Sequence, residues 1–143
     1  ILKEMGDSQA ASEQFQKVLE ISPDYSWAYY NLAVIDFENG FYEEAVYKLE
    51  QSLKYNPKDL EAYINYIKIM AKQGLYDSAK EIAERAIAEF SDAGDIYYLE
   101  AQIDKKLGNL DDCRKELNLA MQYSDKLSVP QKRILDELEE ISD

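Results

Sequence analysis

Histidine is absent from this chain of 143 residues, and cysteine occurs once, as Cys113. The first absence removes the commonest general base and metal ligand. The second excludes an internal disulfide framework and leaves a zinc ion only carboxylates and one thiolate. With 3 prolines and 5 glycines, long irregular loops are not expected. Basic residues are also few, 16 against 29 acids, for a net charge of -13. That excess repels phosphate backbones and anionic lipid, so neither nucleic acid nor a membrane surface is an expected partner. No apolar run approaches the ~18 residues needed to span a bilayer. No secretory signal is visible, and the compartment stays open with the cytoplasm favoured. A phosphate-cradling glycine loop and a nucleophile-plus-base pattern are both missing. No catalytic residue, cofactor or metal site is therefore expected.

What the chain does have is a period. Gly6, Gly40, Gly74 and Gly108 stand 34 residues apart, and a fixed step of this length marks a repeat array. The small residues Ala11, Ala45, Ala79 and Cys113 keep the same step, as do Pro23 and Pro57, with Ser91 and Asp125 in the two later slots. The repeat from Ser26 to Asp59 shows the logic. Trp27 to Glu38 contains no breaker, and Tyr29, Leu32 and Ala33 recur at helical spacing. Asn39-Gly40 stops that helix, because glycine takes the left-handed C-terminal cap at little cost. Glu43 and Glu44 open the next helix, where its dipole favours acids. Tyr42, Ala45, Val46, Leu49 and Leu53 form the apolar face of this second helix, and Asn56-Pro57 ends it. Neither helix buries its face alone, so neighbours must stack.

These residues resemble the tetratricopeptide repeat. The match reads Ala33, Gly40, Tyr42, Ala45 and Pro57 in one repeat. It continues as Gly74, Tyr76, Ala79 and Ala86 in the next, and as Gly6, Ala11, Phe15 and Pro23 in the first. The resemblance implies an all-α fold, a right-handed superhelical solenoid of antiparallel helix hairpins. It covers residues 1–127 as a partial repeat 1–25 and full repeats 26–59, 60–93 and 94–127. Residues 128–143 are expected to form a C-terminal capping helix from about Val129 to Ile141, with Ser128 as N-cap and Pro130 in its first turn. A truncated first helix is expected to end near Met5, and its partner to run from Asp7 to Ile21. The beginning at Ile1 reads as a cut, with further repeats upstream, whereas the C-terminal end reads as genuine.

The repeat 94–127 departs from the pattern. Glu100 and Asp104 stand where apolar residues belong, and Ile96, Leu99, Ile103 and Leu107 sit one place early. The simplest account is a helix starting one residue sooner, which turns the apolar stripe inward. The sharper account is a paired-carboxylate site. With no base, nucleophile or ligand beside it, the first is preferred, and Asp36 in its corresponding slot is read in the same way.

The resemblance also implies a ligand groove lined by the first helix of each repeat. The residues it assigns are Lys3 and Glu4; Trp27, Tyr30, Val34, Phe37 and Glu38; Glu61, Ile64, Lys68, Ala71 and Lys72; and Asp95, Tyr98, Gln102, Lys105 and Lys106. Asn31 and Asn65 lie one place on from the fifth positions, within reach of a peptide backbone. Five lysines and four acids give this set a charge of +1, so the rest of the chain carries -14. The groove divides into an aromatic half (Trp27, Tyr30, Val34, Phe37) and a lysine half (Lys68, Lys72, Lys105, Lys106). The expected function is a protein–protein interaction scaffold, and the expected ligand a peptide with one large apolar residue beside acidic ones. Some family members hold a chaperone's C-terminal carboxylate with a clamp of Lys, Asn and Arg. Here the fifth positions hold Tyr30, Ile64 and Tyr98, and no arginine lies in the groove, so that ligand is not expected. Two alternatives stay open: a homo-oligomer assembled through exposed repeat ends, and an accessory domain of a larger enzyme. Most of the 12 tyrosines, in particular Tyr29, Tyr63 and Tyr97, recur with the period and read as core, and Cys113 reads as an inert buried thiol.

Overall fold

The structure is a computed structural model that describes residues 2–142, with side chains from Asp7 to Ser142. The chain folds into helices α1 (Leu2–Ile21), α2 (Ser26–Glu38), α3 (Tyr42–Tyr55), α4 (Leu60–Lys72), α5 (Tyr76–Glu89), α6 (Gly94–Leu107), α7 (Leu110–Gln122) and α8 (Gln131–Ser142). A single 3-10 turn, Ser124–Lys126, precedes α8, and no strand occurs among the described residues. The helical-repeat architecture implied by the period is the architecture found. The backbone groups into two compact units, 1–65 and 66–143, whose boundary falls inside α4.

The tight turns repeat their chemistry. Gly40, Gly74 and Gly108 have φ of 83°, 80° and 82°. The amide one residue later reaches back to the helix, Phe41 to Asp36 at 2.8 Å, Leu75 to Met70 at 2.9 Å and Asn109 to Asp104 at 2.8 Å. This six-to-one bond satisfies a carbonyl that the helix end would otherwise orphan. An added Cβ at Gly108 would meet nothing within 4 Å, so its only penalty is the left-handed backbone. Gly108→Ala is expected to lose about 1 kcal/mol in urea unfolding. A neutral result would show that the turn relaxes to another conformation.

In the first unit α2 packs against both α1 and α3. Ala28, Leu32, Ala33, Ala45, Leu49 and Leu53 close this interface. Tyr29 stacks on Tyr55 and donates its hydroxyl to the Pro23 carbonyl at 3.2 Å. In the second unit α6 packs on α5 and α7, and α7 on α8. Tyr97 stacks on Tyr123 and donates to the Ser91 carbonyl at 2.7 Å, the same pair 68 residues on. Ala45, Ala79 and Cys113 are all at most 1% exposed, as close helix approach requires. Burial pushes the Cys113 thiol up, away from the reactive thiolate.

Three local expectations fail. No break occurs at Gly6: α1 runs on through it, because glycine permits the left-handed cap without imposing it. α8 starts at Gln131, and Ser128 does not cap it. The Ser128 amide and hydroxyl instead bind the two carboxylate oxygens of Asp95, each at 2.6 Å, which ties the approach to α8 onto the start of α6. Finally, α6 begins at Gly94, two periods from the Ser26 that begins α2. Its register is not shifted, and Glu100 (6% exposed) and Asp104 (0%) face inward. The apolar stripe is split instead. Ile96 and Ile103 are buried, Leu99 is half-buried, and Leu107 is exposed.

Candidate functional site

The unshifted register of α6 decides which side chains share a surface. In the second compact unit, α4 contributes Ile67, Lys68, Ala71 and Lys72 to a cavity of about 300 Å³. Leu99, Gln102, Ile103 and Lys106 from α6 form the facing side, and Tyr76 at the start of α5 completes it. The floor is apolar, with Ile67 fully buried and Ile103 3% exposed. Lys68, Lys72 and Lys106 are exposed, and among the described residues no carboxylate lines the cavity. Three ammonium groups therefore surround an apolar hollow on a chain whose net charge is -13.

The other residues of the expected groove in this unit turn elsewhere. Lys105 lies 3.9 Å from Glu137 and 3.7 Å from Glu140 of α8. Gln102, though it lines the cavity, donates to Glu137 at 3.0 Å, and Glu137 also bonds the Tyr98 hydroxyl. Burial, then this carboxylate, raises the Tyr98 phenol above its ordinary value. Asp95 is taken by Ser128. Thus α8 lies against the side of α6 that carries Tyr98 and Lys105, and the cavity keeps Lys106.

In the first unit the aromatic residues form local clusters. Trp27 is 51% exposed, yet it meets Phe15 edge-on at 5.2 Å and Tyr25 at 5.9 Å. Tyr30 is half-buried and its hydroxyl accepts a hydrogen bond from Asn65 Nδ2 at 2.8 Å. Asn31 Nδ2 donates to the Trp27 carbonyl one turn back, at 2.8 Å. Both amides expected to reach a ligand backbone thus have partners within the chain. Val34 and Phe37 are half-buried, and Phe37 packs on Tyr42 at 5.8 Å. Ile64 is 7% exposed and belongs to the core. Lys3 and Glu4 lie outside the described side chains.

Lys68, Ala71, Lys72, Gln102 and Lys106 are the expected residues that the fold brings together. Sequence reasoning missed Ile67, Tyr76, Leu99 and Ile103, because at repeat spacing an apolar residue under a groove reads the same as one inside the core. Among the described residues no cluster of carboxylates and the thiol is arranged to hold a metal ion, and no helix is long and apolar enough to cross a membrane.

Comparison with known proteins bears on the fold. Family models described as tetratricopeptide repeat match residues 36–103 and 71–126, and one described as TPR repeat matches 1–40. Among curated proteins no sequence relative matches the chain. Among solved structures, MamA superposes with a TM-score of 0.77 at 21% identity, covering 87% of this chain and 72% of its own. The first TPR of Spaghetti (RPAP3), bound to the HSP90 peptide SRMEEVD, gives 0.71 at 15% identity, covering 82% and 90%. The Yersinia enterocolitica type III secretion chaperone SycD, in complex with a peptide of the translocator YopD, gives 0.70 at 19% identity, covering 80% and 89%. The glycine caps, the small-residue contacts and the matching family models lead to one conclusion: the chain belongs to the tetratricopeptide repeat family.

Proposed function

We propose that this protein is a non-catalytic interaction scaffold, and that the cavity formed by α4 and α6 binds a peptide segment carrying one large apolar side chain beside acidic residues. The observation that carries this reading is the charge of the lining: three lysines and no carboxylate on a chain of net charge -13. Such a local inversion draws acidic segments in, and the apolar floor then buries one side chain. A volume of about 300 Å³ suits one large side chain rather than a folded surface. Two relatives in fold, SycD and the RPAP3 domain, were solved with peptides bound. The exposed Trp27, backed by Phe15, offers an apolar contact of the same kind within the first unit.

The test is fluorescence anisotropy with labelled peptides bearing Leu or Phe between Asp and Glu residues. The combined change K68E/K72E/K106E is expected to weaken binding at least about tenfold, or 1.4 kcal/mol. Salt is expected to weaken the wild-type complex as well. Undiminished binding by the triple variant, with helicity intact, removes the cavity from the function.

A further inference from the structure

Another face of α6, beside the one that lines the cavity, carries an unusual burden. Glu100 and Asp104 lie one turn apart on it, 6% and 0% exposed, and Glu116 of α7 is 9% exposed beside them. Among the described residues one ammonium group reaches this cluster: Lys80 of α5 donates to Asp104 Oδ1 at 2.8 Å. The Asn109 amide, in the turn between α6 and α7, approaches the same oxygen at 3.3 Å. Asp104 Oδ2 and Glu116 Oε1 are buried acceptors with no donor from any ionised neighbour. Glu84 of α5 and Asp112 of α7 add further negative charge. Cys113, a third titratable group of α7 here, is held neutral by burial, and Glu116, Glu137 of α8 and Lys105 of α6 also act on it.

Three buried carboxylates against one ammonium cannot all be ionised without leaving uncompensated charge in the core. The second repeat shows the contrast. There Asp36, in the slot of Asp104, pairs with Lys48, in the slot of Glu116. Where that hairpin has a cation, this one has an acid.

We propose that the α5–α6–α7 joint closes around a bound proton, carried by Glu116 and donated to Asp104 Oδ2, and that the joint loosens when the proton leaves. The protonated carboxyl supplies the donor that Asp104 lacks, and Asp104 keeps its charge for Lys80. The electrostatics of the cluster agree. Burial, then the hydrogen bond with Asp104, pushes Glu116 up to about 9. Burial, then the neighbouring Asp104 charge, pushes Glu100 up to about 7. Burial alone would raise Asp104, but hydrogen bonds from Glu116, Lys80 and Asn109 outweigh it and hold the group low. In the unfolded chain both glutamates titrate near 4.5. Between that value and 7 to 9 the folded state binds more protons, so stability is full below the lower limit and falls as pH rises. Because α6 also forms one wall of the cavity, the proton sets the order of that wall.

The test is thermal unfolding of the whole chain from pH 5 to pH 9, with Glu116→Gln and the exposed control Glu81→Gln. The wild type and the control are expected to lose on the order of 5–10 °C across this range. Glu116→Gln, whose amide stays a donor at every pH, is expected to lose markedly less. An equal slope in all three overturns the proposal, since both variants remove one acid and only general charge repulsion would remain. If Glu116→Gln does not fold, the 13C carboxyl titration of Glu116 in the wild type decides. A midpoint well above 4.5 supports the bound proton, and a midpoint near it overturns it.

Discussion

Gly94→Ala is expected to destabilise the second compact unit by about 3 kcal/mol, although it adds one methyl group and improves helix propensity. A Cβ at this position would overlap the Tyr123 carbonyl oxygen and lie 3.3 Å from those of Ala120 and Lys126. All three are backbone atoms at the end of α7 and in the turn beyond it, so no side-chain rotation relieves the clash. The corresponding residue of the second repeat is Ser26, whose carbonyl accepts the Ser52 hydroxyl at 3.0 Å. Two periods later that pair has become Gly94 and Ala120, both smaller, and the backbones meet directly.

The close approach positions more than itself. Lys126 pairs with Asp92 at 2.8 Å, Ser128 binds Asp95, and Tyr123 stacks on Tyr97 at 5.7 Å. Each of these contacts joins the start of α6 to the segment leading into α8. A shift forced at Gly94 is therefore expected to release α8 as well, seen as faster hydrogen exchange over residues 131–142 together with a lower urea midpoint. If Gly94→Ala instead stabilises the unit, helix propensity dominates and the 120–126 segment yields easily.

The residues that revealed the fold in the sequence are those whose role is local. Gly40, Gly74 and Gly108 fix left-handed caps through their own backbone, and Ala45, Ala79 and Cys113 are small because a helix crosses there; both signals need only the period. Gly6 carries the same letter without the turn, since glycine permits a left-handed cap without imposing one. The misreading of α6 has a different cause. Periodicity treats an acid in a core slot as evidence that the helix has rotated, because burying a carboxylate is costly. What makes Glu100 and Asp104 tolerable inside is Lys80 from α5 and Glu116 from α7, 12 to 24 residues away along the chain, and pairing across helices leaves no periodic trace. The candidate site was legible by halves for a similar reason. Repeat position found Lys68, Ala71, Lys72, Gln102 and Lys106, but only the packing of α8 shows that Lys105 and Tyr98 turn towards Glu137.

If Glu100 is tolerated rather than required, Glu100→Leu should make the protein more stable at pH 8, by about 2 kcal/mol. Leu32 and Tyr66 hold this slot in the two preceding repeats, at 2% and 6% exposure, so the register accepts an apolar side chain there. Leucine has nearly the volume of glutamate, and the change removes a carboxylate that burial and Asp104 push up to about 7. The gain should depend on pH in a defined direction. Above that value Glu100 must be ionised within the core or must release the helix, so the advantage of leucine is complete. At pH 5 the buried carboxyl is neutral, and the advantage should shrink to the difference between a protonated acid and a hydrocarbon. Denaturant unfolding at the two pH values measures both quantities on one pair of proteins. A gain that is the same at both would mean that Glu100 is ionised throughout and answered by Lys80. A loss at pH 8 would mean that its carboxylate holds Lys80 in place for Asp104.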